Sequence, residues 1–286
     1  MKKEWTTGKI VGVIMLSVLG VVILWIAFVA SIYQLVTVID NIDGKTAARS
    51  AGNTDGPEDT EEYDIEDFLN GSDEEYYDFA QYIRDDLSYS AELEEYDRDD
   101  YDCPEGSNAS LTITYPVVTG DIPNVDGINQ KLYEEVTELD DYISGITDRL
   151  EEGDSFEYQG ECFVTYMDEN ILSVAWQEHG TLNDSMIGAV VVSMNFDLQT
   201  GLPVGNTGIL DIDDDFAIDF RNRCEEQNGE INGLNYYSDQ QIREYLTDES
   251  SLIIFYTPLG MEVGINYDGG WATVTYKDYK KFTKQF

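Results

Sequence analysis

The sequence predicts an α+β fold: an antiparallel sheet covered on one side by a long helix and shorter helices, preceded by a single transmembrane helix. Three observations carry this reading. Val125, Ile128, Leu132, Val136, Leu139, Ile143, Ile146 and Leu150 recur every three or four residues, which lines one face of a long helix. FEYQGECFVTYM, NILSVAWQ and MIGAVVVSMNF follow one another with only short breaks, as antiparallel strands do. Finally, Ile10–Tyr33 runs for 24 residues without a charged residue, Asn or Gln, and roughly 20 apolar residues suffice to cross a bilayer as a helix.

Taken in order, the chain begins with a short tail, 1–9. The anchor, 10–38, is too long for a signal-peptide core of about 7–15 residues, and no small-x-small cleavage motif follows it closely. Lys2, Lys3 and Lys9 precede the anchor, and the next basic residue is Lys45. That asymmetry places the N-terminus in the cytoplasm and the rest outside, at the plasma membrane. Trp25 and Tyr33 suit the outer interface, and Ala27 with Ser31 forms a small-xxx-small pair.

Residues 39–107 read as an acidic tether. DGKTAARSAGNTDGPEDTEE has almost no apolar content, the composition of a disordered segment. In DEEYYDFAQYIRDDL, Tyr76, Phe79, Ala80, Ile83 and Leu87 recur at helical spacing, which predicts a short helix within 73–90. That helix either folds back onto the domain or offers Tyr76, Phe79 and Ile83 to a partner.

The domain proper is expected over 108–286. LTITYPVV alternates as a strand, and the long helix follows. After the three strands, DDDFAIDFRNRCEEQ places Phe216, Phe220 and Cys224 on one helical face, with aspartates in the first turn where the helix dipole favours them. SDQQIREYL carries Ser238 and Gln241 in capping-box positions. LIIFYTPLGMEVGI reads as a hairpin around Pro258–Gly260, and WATVTYKDYKKF as a last strand with a short terminal helix. Between strand and helix, NFDLQTGL is a turn. Asp197 and Thr200 bond locally, Gly201 takes the left-handed position, and Leu198 and Gln199 sit at a tolerant tip.

Charge limits the function classes. The net charge is −42 and the pI about 4.1. Residues 1–54 carry +2, residues 55–105 carry −20 and residues 106–286 carry −24. Such a field repels nucleic acid and favours basic partners, although solubility alone also accounts for it. Cys103, Cys162 and Cys224 lie on the oxidising side of the membrane. Three cysteines allow at most one intrachain disulfide and leave all three pairings open; three buried thiols are the alternative.

Reactive chemistry is hard to place. His179, in WQEHG, is the single histidine. Asp184 and Ser185 follow it, but no nucleophile-elbow pattern surrounds them. One histidine rules out most zinc sites, and the three cysteines have no metal-ligand spacing. Asp211, Asp213, Asp214 and Asp215 lack the glycine and terminal glutamate of a calcium loop and read as a helix start. No phosphate loop or dinucleotide fingerprint is present. Among 58 acidic residues, a carboxylate pair chosen from sequence means little. The expectation is a protein without catalytic residues, cofactor or metal.

The order of elements resembles a known family. TYPVVTG, a long helix containing INQKL, then ILSVAW, then NFDLQTG before an Asp-rich helix start are similar to the extracytoplasmic domain of RsiV-type proteins. These include the lysozyme-sensing anti-sigma factor and the wall-facing domain of some peptidoglycan deacetylases. GMEVGINYDGGWATVTYKDYKKF is similar to that family's closing hairpin and strand, so the resemblance spans about 110–282. Where the family has a Gly-Gly-Ala-His turn, this chain reads HGTLNDS, ending at Ser185. The tail before the anchor is too short to hold a sigma factor, and no deacetylase domain follows Phe286. The resemblance therefore implies a membrane-anchored sensing or binding module for a cell-wall polymer or a basic, lysozyme-like protein. The alternative is a structural envelope protein acting in a membrane complex through its anchor and tether.

Overall fold

The computed structural model describes residues 76–229, 231, 233–268 and 270–284. The tail, the anchor expected at 10–38 and most of the acidic tether lie outside the described residues. Among the described residues, no helix is long and apolar enough to cross a membrane.

The described residues form nine strands and three α-helices in this order: β1 (Tyr89–Arg98), β2 (Asn108–Gly120), α1 (Val125–Ile146), β3 (Ser155–Met167), β4 (Ile171–Leu182), β5 (Ser185–Asp197), β6 (Leu202–Val204), α2 (Asp214–Asn228), α3 (Asp239–Thr247), β7 (Leu252–Thr257), β8 (Gly260–Tyr267) and β9 (Gly270–Tyr276). They form two sheets rather than the single expected one, a six-stranded sheet in the order β1 to β6 and a three-stranded sheet in the order β7 to β9. The α+β class and mostly antiparallel pairing hold, with one exception. β2 and β3 run parallel, because α1 is the crossover between them and returns the chain to its starting end. The expected terminal helix is a single 3-10 turn, Tyr279–Lys281.

The apolar stripe of α1 does what its spacing demands. Ile128, Leu132, Val136 and Ile143 are fully buried on the six-stranded sheet, with Val125, Leu139 and Ile146 at the margin. The three-stranded sheet packs on the opposite face of the six-stranded one. LIIFY in β7 is apolar on both sides because Ile253 and Phe255 meet Ala175 and Val191 of the first sheet, while Leu252 and Ile254 meet α2 and α3. Helices therefore cover both outer faces, not one.

The outer edges of β7 and β9 are closed by side chains. The outer edge of β7 donates from Ile254 N to Ser193 Oγ (3.1 Å) and from Tyr256 N to Ser173 Oγ (2.9 Å). Asn195 and Asn206 donate to the carbonyls of Ile254 and Leu252. This explains why Ser173, Asn195 and Asn206 are buried among apolar neighbours. The outer edge of β9 is capped from α2: Thr275 N donates to Gln227 Oε1 (2.7 Å), and Gln227 and Asn228 donate to the Thr275 and Thr273 carbonyls.

The segment preceding β1 departs most from expectation. No helix occurs in 76–88, and Tyr89–Arg98 is a strand paired with β2 along its whole length. The domain therefore starts before residue 108. The β2–β3 ladder ends at Ile113 and Gly160, and the segment fills the gap beyond it. Gln81 bonds Cys162 O and Val164 N, and Tyr82 N donates to Val164 O (2.6 Å). Tyr77 and Phe79 point into the space between the sheets, where Phe79 packs on Phe163, Phe255 and Trp271. Burial of two aromatic rings two residues apart outweighs the helical spacing. After β1, Arg98 and Tyr101 clamp α1 through Asp140, at 2.7 Å and 2.6 Å.

NFDLQTGL is a turn with a second duty. Gly201 has φ 66 and its N–H donates to Asp197 O (2.7 Å), while Asp197 Oδ1 accepts from Gln199 N and Thr200 bonds back to Asp197. A Cβ on Gly201 would lie 2.2 Å from Pro123 O, and Asn124 donates to Gly201 O. The turn thus seats the start of α1. Leu198 is buried in the core rather than at a tolerant tip.

Candidate functional site

The residues singled out in the sequence do not converge. Cys103, Cys162 and Cys224 are all unpaired thiols. Cys162 lies on β3 under α1, where burial pushes its thiol well up. Cys224 faces the other core, where burial pushes it up to about 12. Such thiols pack as small hydrophobes and are poor nucleophiles. Of the proposed docking residues, Phe79 is interior and Ile83 exposed, and they share no helix. His179 sits within β4 opposite Gln159 and Ala189. Asp184 is instead at the β4–β5 tip, where Asn183 and Asp184 both adopt left-handed φ (51 and 63), the form of a two-residue hairpin. HGTLNDS is therefore a strand end and a turn, not a triad.

A site that the sequence reading missed lies beneath α1. Glu178 continues the inward face of β4 after Leu172, Val174 and Trp176, and is 2% exposed. Tyr158 of β3 donates to its Oε2 at 2.8 Å, and its Oε1 has no hydrogen-bond partner. Burial first, and then the Glu135 carboxyl of α1, push Glu178 up to about 8. Glu135 itself is raised to about 7 by burial and by Glu138. Burial and neighbouring carboxyls thus favour the protonated form of both groups. The sequence signal was there: strict alternation places Glu178 on the face of Trp176.

The second sheet contains a counterpart. Glu262 of β8 is also 2% exposed and raised to about 8 by burial. Here Thr275 Oγ1 bonds Glu262 Oε1, and Tyr77 N donates to the same hydroxyl (2.9 Å). Both carboxyls are almost fully enclosed by their sheets and covering elements.

The exterior is where ligands have room. An open groove of about 700 Å³ is lined by Asp211, Asp213, Asp215, Asp219, Lys281 and Phe282. Asp213 is the N-cap of α2, accepting from Phe216 N at 2.8 Å, as expected of a helix start. Among the described residues, no three His, Cys, Asp or Glu side chains are placed to hold a metal ion. β1 carries a second acidic surface, with Glu92, Glu94, Glu95 and Asp97 all exposed. Of eleven Lys and Arg among the described residues, at least seven hold ion pairs with neighbouring carboxylates. The remaining acid excess has few counter-charges within the described fold.

No family model matches the chain, and no curated protein does. Among solved structures, a DUF3298 family member from Bacteroides fragilis is similar at 11% identity, covering 69% of this chain and 95% of that one, with a TM-score of 0.44. A DUF3298 family protein from Pseudomonas aeruginosa is similar at 13% identity, covering 70% and 96%, with a TM-score of 0.43. Both of these similar solved chains are DUF3298 family proteins.

Proposed function

We propose that this chain is a single-pass, cell-surface binding module of the RsiV type, displayed outside the membrane by its N-terminal anchor and without catalytic activity of its own. Its ligand is a basic protein of lysozyme-like charge. The observation that carries this reading is the uncompensated acidity of the exterior. The described cations are mostly engaged internally, while the α2 groove and β1 present carboxylates to solvent. The order of motifs from TYPVVTG to NFDLQTG supports the RsiV type, and the apolar run Ile10–Tyr33 supports the anchor.

The test is a titration of lysozyme against residues 40–286 and 76–286 at 0.1 M and 1 M salt. The Debye length falls from about 10 Å to about 3 Å across that range. A specific complex weakens but persists, because apolar contacts are unscreened. Equal affinity for both fragments assigns recognition to the described domain. Absence of binding at low salt refutes the basic-partner reading and leaves a wall polymer or a membrane partner.

A further inference from the structure

We propose that the outer edge of β1 is a docking strand for an extended, basic peptide segment, which adds to the six-stranded sheet as a further strand. The proposal rests on the basic-partner reading above and names where and how that partner attaches.

The argument starts from strand edges. An edge strand presents a row of unpaired N–H and C=O groups, and folded proteins normally cover or blunt it. This domain covers its edges with side-chain amides and hydroxyls. β7 is closed by Ser173, Ser193, Asn195 and Asn206, and β9 by Gln227 and Asn228. The stretch of β3 that β2 leaves open is closed by Gln81. β6, the far edge of the large sheet, is only three residues long. β1 differs from all of these. It is ten residues long, it is terminal in the sheet, and it pairs without a bulge from Tyr89 opposite Gly120 to Arg98 opposite Leu111. Among the described residues, no strand or side chain caps its other edge.

Charge selects the occupant. Residues 85–102 contain nine acidic residues and one basic one, and that one, Arg98, is held by Asp100 and Asp140. Strand alternation places Glu92 and Glu94 on one face of β1 and Glu95 and Asp97 on the other. Glu94 and Asp97 are steadied by Tyr115 and Thr112 of β2. Two β1 edges meeting would oppose the carboxylates of both copies, so a second copy of this chain is disfavoured. An incoming strand with Lys or Arg on either face meets carboxylates, gains the backbone ladder, and finds exposed Leu93 for apolar contact.

The test uses the full chain in detergent micelles and a labelled ten-residue peptide of alternating lysine and valine. A control peptide has the same sequence with alternate backbone nitrogens methylated, which keeps the charge and removes the ladder. Anisotropy at 0.1 M salt should show saturable binding of the first peptide and at least about tenfold weaker binding of the second, the loss of about 1.4 kcal/mol. Replacing Glu92, Glu94, Glu95 and Asp97 together by Lys should abolish binding and create affinity for a glutamate–valine peptide, which also shows that the variant is folded. Equal affinity for methylated and unmethylated peptides would overturn the docking strand. So would unchanged lysozyme binding by the charge-reversed variant, although the basic-partner reading would then stand. If no basic probe binds the wild-type chain, both fall.

Discussion

Glu178 and Glu262 occupy matching positions in the two halves of the domain. Each lies in a central part of its sheet, each is 2% exposed, and each is pushed up to about 8 by burial. Their partners differ. Glu262 has the hydroxyl of Thr275, itself fixed by Tyr77 N. Glu178 has one donor, Tyr158, one oxygen without a partner, and the negative field of a second carboxyl, Glu135 of α1. A neutral buried carboxyl is tolerable when its hydroxyl and carbonyl are both used, and costly when half of it is idle. The three-stranded half therefore holds a satisfied polar contact, and the α1 half a frustrated one.

The largest effects should show whether the halves are separable at all. Leu132→Asp, under α1, and Ile254→Asp, between the second sheet and its helices, each bury a charge at a fully enclosed position. Each should cost several kcal/mol, against roughly 5–15 kcal/mol for a whole domain. Because Ser173 and Ser193 of one sheet bond the backbone of β7 in the other, urea unfolding should remain one transition in both variants. A surviving transition in the untouched half would mean that the halves fold separately.

Gly201→Val should come next, at about 2–4 kcal/mol. It combines a left-handed backbone with a Cβ driven against Pro123 O. Gly270→Ala in the other half has the strained φ of 125 without any neighbour within 4 Å, so it should cost only about 1 kcal/mol. Equal losses would show that the docking of the turn on α1 contributes nothing.

Replacing each glutamate by its neutral amide is a finer probe. Glu178→Gln removes the charge, keeps an acceptor for Tyr158 and relieves Glu135. It should stabilise the domain by about 1 kcal/mol at pH 8. Glu262→Gln brings an NH2 group against the Thr275 hydroxyl and should be neutral or destabilising. The reverse order in thermal melts would dismiss the contrast.

The pH dependence follows from the same groups. A carboxyl raised in the folded state above its usual 4.5 binds its proton more tightly when folded. Its contribution is complete below about pH 4.5 and is lost as pH rises toward 8. Asp140 and Asp278 act oppositely. Burial pushes both up, but their arginine and hydroxyl or lysine partners hold them below the usual range. Their contribution is lost as pH falls below about 4. Stability should therefore peak near about pH 5 and decline by pH 8, and Glu178→Gln should flatten the alkaline side more than Glu262→Gln does.

Much of this architecture was legible from spacing. The α1 stripe, the capping box of α3, the N-cap of α2 and the Gly201 turn depend on local patterns, and the structure retains them. The segment 73–90 was not legible, because Tyr77 and Phe79 are held by Phe255 and Trp271, nearly two hundred residues away. Helical spacing cannot report such a contact. The split into two sheets was hidden for a related reason: Ser173, Ser193, Asn195 and Asn206 look like ordinary polar strand residues until β7 lies against them. The parallel β2–β3 pair was deducible, since a long helix between two strands of one sheet is a crossover. Glu178 was also within reach, by continuing the alternation past Trp176.

Carboxyl-detected NMR of the domain labelled at glutamate Cδ, titrated from pH 3 to 9, reads both halves at once. Glu178 and Glu262 should titrate near about 8 and Glu135 near about 7, well above the exposed glutamates. Glu135→Gln should lower the Glu178 midpoint and leave that of Glu262 unmoved. A Glu178 midpoint near 4.5, or one indifferent to Glu135→Gln, would contradict the frustrated pair beneath α1.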